Sequence, residues 1–262
     1  MNILHLQAKL EAYLATVPGT VCVAFHDLTT GESFDLQGKK SVHSASTIKL
    51  LILAELMDQV RLGRLSLSQT VTVTAEMHTG GDGILKELLP GHSFTLREIA
   101  TLMIIVSDNE ATNILIDLLG MDAINARAKA LGLTGTILGR KMMDSEARKQ
   151  GRDNYITAND MVYLLQEIYY ERLIDARSSR VMLDILKRQQ QSGRLQLYLP
   201  EEVLVTHKCG DLDFLENDGG IVYAGDRPYI LVVLTSRMAS NKEGRETIGV
   251  VSKIVYDGMI AN

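Results

Sequence analysis

Strand-like runs stand near both ends of this 262-residue chain with a long helical stretch between them, which confines it to folds that build one sheet from two distant segments. Residues 20–27 (Thr-Val-Cys-Val-Ala-Phe-His-Asp) and 33–36 flank Thr29-Thr30-Gly31-Glu32, a hairpin signal. Strand character returns at 204–209, 220–224 and 229–236, the last holding the dense run Ile230-Leu231-Val232-Val233-Leu234. Short turns between neighbours make such a sheet mainly antiparallel. An amphipathic N-terminal helix with Leu4, Leu6, Leu10 and Leu14 inward and a closing helix over 246–259 flank it. The expected class is therefore α/β of the α+β kind: a mainly antiparallel sheet from both chain ends, terminal helices beside it, and an inserted all-helical lobe. With 46% hydrophobic residues the chain can bury one large core, or two lobes, expected at 1–44 with 196–262 and at 45–195.

Within the inserted stretch, Ile48, Leu50, Leu51, Leu53, Ala54, Leu56 and Met57 form an apolar helical run. Gly80, Gly81, Asp82 and Gly83 mark a loop. Thr95-Leu96-Arg97-Glu98 has capping-box spacing and opens a helix expected to carry Ser107 at its far end. Helices follow over 110–119 and 122–131, closed by Gly120 and Gly132, and over 157–170 and 177–189.

Three short motifs carry chemistry. Ser46 and Lys49 stand three apart where the first apolar helical run begins, so an amine can reach a hydroxyl that is a poor nucleophile unaided. The helix start adds unpaired N–H groups that favour negative charge at Ser46. Ser107-Asp108-Asn109 follows the second long helical pattern, and Lys208-Cys209-Gly210 ends a strand-like run. In that order, from about Val21 to the final helix, these motifs resemble those of the class A β-lactamases and the wider group of penicillin-recognising serine enzymes.

The resemblance implies a single β-lactamase/transpeptidase-like domain over 1–262 and a serine hydrolase that works through an acyl-enzyme. It makes Ser46 the nucleophile, Lys49 the group that takes its proton, and Ser107 the relay to the departing nitrogen. Lys208 would attract a substrate carboxylate and, as a second ammonium, help keep some Lys49 neutral. Asn109 would hold Lys49 and the substrate's amide side chain. The N–H groups of Ser46 and Asp211 would form the oxyanion hole, with Gly210 allowing close approach. Cys209 departs from the family, which usually has threonine there; a thiol donates more weakly, so carboxylate binding is loosened or aimed elsewhere. Cys209 with His207 is a rival nucleophile and base, although residues two apart on a strand seldom reach that geometry.

A larger departure lies in the segment 138–146. Class A enzymes place a glutamate two residues after the arginine matching Arg140, where it activates the deacylating water; here Met142 stands. Arg140 and Asp153 remain suited to clamp the neck of the loop, and Asp144 and Glu146 are the carboxylates left as candidate bases. The activity implied first is slow β-lactam hydrolysis. The alternatives are a D-alanyl-D-alanine peptidase or ester hydrolase with the same acylation machinery, and a sensor or sink that is acylated once.

The remaining features narrow the partners to a small-molecule β-lactam or related amide or ester. A formal charge of −5 without basic blocks argues against nucleic acid. Apolar runs fall short of a bilayer span, so no membrane partner is expected. The six histidines lack metal-ligand spacing and no Gly-rich phosphate loop occurs, so neither metal nor cofactor is expected. Cys22 and Cys209 read as thiols of a reducing compartment, with a bridge left open. No secretory start is seen, which suggests the cytoplasm for the chain as given, and the periplasm or exterior if a leader was omitted.

Overall fold

The computed structural model describes residues 3–260. In chain order its elements are α1 (Ile3–Leu14), β1 (Thr20–Asp27), β2 (Ser33–Leu36), β3 (Val42–His43), a 3-10 turn at Ala45–Ile48, α2 (Lys49–Arg61), β4 (Thr70–Thr72), β5 (Ser93–Thr95), α3 (Leu96–Ile105), α4 (Asn109–Leu119) and α5 (Met121–Ala130). There follow α6 (Ser145–Lys149), β6 (Tyr155–Ile156), α7 (Ala158–Tyr169), α8 (Ala176–Leu186), β7 (Val205–Leu212), β8 (Leu215–Ala224), β9 (Arg227–Ser236) and α9 (Asn241–Ile260). Five strands form one sheet in the order β2-β1-β9-β8-β7 with every neighbouring pair antiparallel, so the two chain ends do meet in one sheet.

The chain divides into two compact units, one of Met1–Thr47, Ile156–Gln166 and Gln191–Asn262, the other of Ile48–Tyr155 and Glu167–Gln190. In the first, alternate residues Val21, Val23 and Phe25 of β1 and Tyr229, Leu231 and Val233 of β9 face Leu6 and Leu10 of α1 and Ile248, Val251, Val255 and Met259 of α9. Leu4, expected inward, is 72% exposed. Two helical residues before Leu6 is about 200° around the axis, which puts Leu4 on the opposite face. The sheet unit also takes in 45–47, 156–166 and 191–195, which the sequence pattern assigned to the helical lobe. Asn159 explains part of this, donating its N–H to Gly38 O at 3.0 Å and its side-chain amide to Asp35 at 3.2 Å, while Met161 packs over the β8 backbone at Gly219.

The second unit is built round α2, whose Leu50, Leu51, Ile52, Leu53, Ala54, Leu56 and Met57 are all buried, the signature of a helix surrounded by others. Helices α3, α4, α5 and α8 pack on it. Its buried acids Glu55 and Asp58 are compensated by Arg127 from α5, which bonds both. The capping box at Thr95 and Glu98 forms as expected. Among the described residues no helix is long and apolar enough to cross a membrane.

Candidate active site

Ser46 lies in the 3-10 turn, half-buried, directly after Ala45, which is held at φ +46°, a costly left-handed conformation for a residue with a Cβ. The turn is fastened from inside the sheet unit. Asn217 on β8, fully buried, donates to His43 O at 2.9 Å and Ser44 O at 3.2 Å, and Thr47 Oγ1 donates to Ser44 O at 2.7 Å. The sequence motifs do not reveal Asn217, since a buried asparagine in a strand carries no pattern of its own.

Strand β7 brings the Lys208 motif to this turn. A Cβ at Gly210 would stand 2.4 Å from Ser46 N, so the close approach admits only glycine. Lys208 shares a face of β7 with Gly210 and is fully buried, its Nζ donating to Cys209 O at 2.6 Å. Because Tyr223 N–H bonds Leu204 O at 3.0 Å, the hydrogen-bonded pairs of β7 with β8 fall at even-numbered β7 residues. The N–H of Asp211 therefore points away from β8, off the open edge of the sheet.

Cys209 occupies the opposite face of β7, with its thiol bonded to Gln191 Oε1 at 3.3 Å. Burial pushes that thiol's pKa up, against the pull of nearby Lys208, so it stays protonated. His207 Nδ1 instead meets Asp218 at 2.8 Å. Burial alone would raise the Asp218 carboxyl, but His207 and Arg194 outweigh it and hold it below the usual carboxylate range. Both features argue against a Cys209–His207 nucleophilic pair. Cys22 and Cys209 are free cysteines, so the bridge left open by the sequence is not formed.

The second unit assembles Lys49, Ser107 and Asn109. Lys49 opens α2, fully buried, and its Nζ donates to Ser107 O at 2.7 Å, Ser107 Oγ at 3.0 Å and Asn109 Oδ1 at 3.0 Å. Helix α3 stops at Ile105, so Ser107 stands in the connection that follows, at φ +56°, and not on the helix end as its pattern suggests. Asp108 sets that connection. It caps α4 by accepting Ala111 N–H at 2.9 Å and accepts Ile84 and Leu85 N–H at 2.7 and 2.9 Å, with Gly83, at φ +123°, leaving room for its carboxylate. Replacing Asp108 with alanine strands three N–H groups, those of Leu85 and Ala111 in buried bonds, and is expected to cost about 2–4 kcal/mol, read as a lower denaturant midpoint at unchanged slope.

Around the loop carrying Met142, Arg140 Nε meets Asp153 Oδ1 at 2.7 Å and Asn154 Oδ1 accepts the N–H groups of Gly139 and Arg140 at 2.8 and 3.0 Å. Asn113, one turn beyond Asn109, accepts Met142 N–H at 2.8 Å and donates to its carbonyl at 3.1 Å. That i, i+4 relation is a signal the sequence did offer. Met142 is buried. Of the two candidate bases, Asp144 caps α6 through Ala147 N–H at 2.9 Å, and Glu146, 72% exposed, pairs with Lys149 at 2.6 Å.

Comparison with known proteins agrees with the fold. The model of the β-lactamase enzyme family matches residues 5–259. The crystal structure of a β-lactamase from Sphaerobacter thermophilus is 29% identical, covers 99% of this chain and 98% of its own, and superposes with a TM-score of 0.88. A curated β-lactamase from Bacteroides uniformis is 26% identical over 97% of this chain and 91% of its own length. The penicillin G acyl-enzyme of a PBP-A variant is 28% identical, covers 97% of this chain and 96% of its own, and gives a TM-score of 0.88. The enzyme type these relatives define is the class A β-lactamase-like serine hydrolase. This chain belongs to the β-lactamase enzyme family.

Proposed function

We propose that this enzyme hydrolyses β-lactams through an acyl ester on Ser46 and that water releases the acyl group slowly. Ser46 Oγ attacks the lactam carbonyl while its proton passes to Lys49 Nζ. The C–N bond then breaks, with Ser107 Oγ delivering a proton to the nitrogen and regaining one from the lysine. Water cleaves the ester and restores the serine hydroxyl. The N–H groups of Ser46 and Asp211 hold the developing oxyanion, Asn109 the substrate's amide side chain, and Lys208 its carboxylate. No step calls for a metal or an organic cofactor.

The observation that carries this reading is Lys49, a fully buried amine aimed at Ser107 Oγ and Asn109 Oδ1. A hydroxyl both donates and accepts, so Ser107 can serve a neutral or a charged amine and suits a relay. Support for slow release comes from Met142, buried and apolar, and from Asp144 and Glu146, both engaged elsewhere. Kinship with an acyl-enzyme of penicillin G supports a penicillin-type donor.

Mixing with a chromogenic cephalosporin is expected to give a burst equal to the enzyme present, then slow steady turnover, with a mass adduct on Ser46. Linear turnover without a burst overturns slow release. A burst with no turnover makes the protein a sink, and no adduct combined with hydrolysis of D-alanyl peptides or simple esters makes it a peptidase or esterase.

A further inference from the structure

We propose that Asn217 is the positioning residue of the nucleophile: by gripping the two carbonyls ahead of Ala45 it keeps that residue left-handed, and so sets the aim of Ser46 Oγ and Ser46 N–H together. This rests on the acylation of Ser46 proposed above. Ala45 stands at φ +46°, a backbone state disfavoured about tenfold for a residue that carries a Cβ. Left to itself the turn relaxes there, and Ser46, the next residue, swings with it. Something outside the turn has to hold it, and β8 supplies that hold.

The Asn217 amide has a single orientation. Its Oδ1 accepts the Thr235 N–H of β9 at 3.1 Å, a donor that only the oxygen can meet, so Nδ2 is turned to the carbonyls of His43 at 2.9 Å and Ser44 at 3.2 Å. Two hydrogens thus match two carbonyls. Thr235 is locked in turn, its Oγ1 donating to Glu216 O at 2.7 Å and accepting Glu216 N–H at 3.0 Å. In register Asn217 stands opposite Gly210, the β7 residue whose Cα abuts Ser46, so the sheet meets the turn both through the β7 backbone and through this β8 side chain. Thr47 also bonds Ser44 O, but from inside the turn, which closes the turn without tying it to the sheet. Asn217, Ser44 and Thr47 are all fully buried, so water does not stand in for a lost bond.

The test follows formation of the Ser46 adduct from a chromogenic cephalosporin by the full chain, and separates the acylation rate constant from the dissociation constant of the complex that precedes it. Asn217→Ala is expected to slow acylation about 10²-fold, the worth of a misplacement on the order of 1 Å, while the dissociation constant moves less than about threefold. Adding Ala45→Gly to that variant is expected to restore about tenfold, because glycine is free of the left-handed penalty. In the wild type, where the conformation is already held, the same change gives less than about threefold. Acylation of Asn217→Ala within about threefold of wild type overturns the proposal. So does a loss that Ala45→Gly leaves unrelieved, which makes Asn217 a residue of the fold alone. If Asn217→Ala does not fold, hydrogen exchange of the wild type decides. Thr47 N–H, bonded to Ser44 O at 3.1 Å, is expected to be as protected as Thr235 N–H, and exchange more than about tenfold faster overturns the coupling of turn to sheet. No adduct on the wild type sinks the Ser46 reading and this with it; normal acylation in Asn217→Ala sinks this inference alone.

Discussion

Ser46→Ala removes the acyl adduct and lowers β-lactam turnover by about 10⁴-fold or more, while the protein keeps its fold. The nucleophile is the one group in the proposed reaction that nothing nearby can replace. Cys209, the other side chain of suitable chemistry on the adjoining strand, is buried, protonated and bonded to Gln191 on the opposite face of β7. What survives in the variant is binding and the oxyanion donors, which are backbone groups and untouched by the change. The turn itself does not depend on the lost hydroxyl: Asn217 and Thr47 hold Ser44 and His43 by their carbonyls. A half-buried serine to alanine should therefore alter stability by no more than about 1 kcal/mol. Intact-mass analysis after exposure to a cephalosporin decides the matter. An adduct that persists in Ser46→Ala would mean that the nucleophile lies elsewhere.

The sheet was legible in the sequence where strands bury apolar residues, and illegible where they bury charge. β1 and β9 read correctly because Val, Ile, Leu and Phe alternate or run together. The pattern shows β8 only from residue 220, yet the strand begins at Leu215, because Glu216, Asn217 and Asp218 look like loop until their partners are known. Each is fully buried, and each is satisfied from elsewhere in the sheet unit: Arg194 and Arg245 for Glu216, the Ser46 turn for Asn217, His207 for Asp218. Pairing across that sequence distance leaves no local trace, so Arg194 could not be singled out beforehand. The same holds at the start of α9, where Asn241 and Glu243 give no apolar period and the helix begins five residues before the pattern does. In contrast, Ser46, Lys49, Ser107, Asn109 and Lys208 stand out in the sequence as candidates, because the chemistry proposed for them fixes residue type and local spacing. What spacing could not convey was backbone state, such as the positive φ at Ala45 and Ser107 that turns those segments.

Met142→Glu speeds release of the acyl group by about 10²–10⁴-fold, the usual worth of general-base assistance, and converts a burst with slow turnover into sustained hydrolysis. The backbone needed to present the new carboxylate is already in place. Asn113 grips Met142 by its main-chain N–H and carbonyl, and the Arg140–Asp153 pair with Asn154 closes the neck of the loop, none of which involves the methionine side chain. Met142 is 8% exposed, so the substitution puts a carboxyl in a largely apolar place and raises its pKa above the usual glutamate value near 4.3. Two consequences have opposite signs in pH. Deacylation needs the ionised form, so its rate climbs as pH rises through the raised pKa. Stability runs the other way: the folded state favours the protonated form, so the variant loses stability relative to wild type as pH rises above the unfolded value of about 4.3 and through the folded pKa. Single-turnover decay of the Ser46 adduct across pH separates these effects, because it reports release alone, while a denaturation midpoint at each pH reports the fold. Unchanged adduct lifetimes in a variant that is folded throughout would mean that the missing carboxylate is not what limits this enzyme.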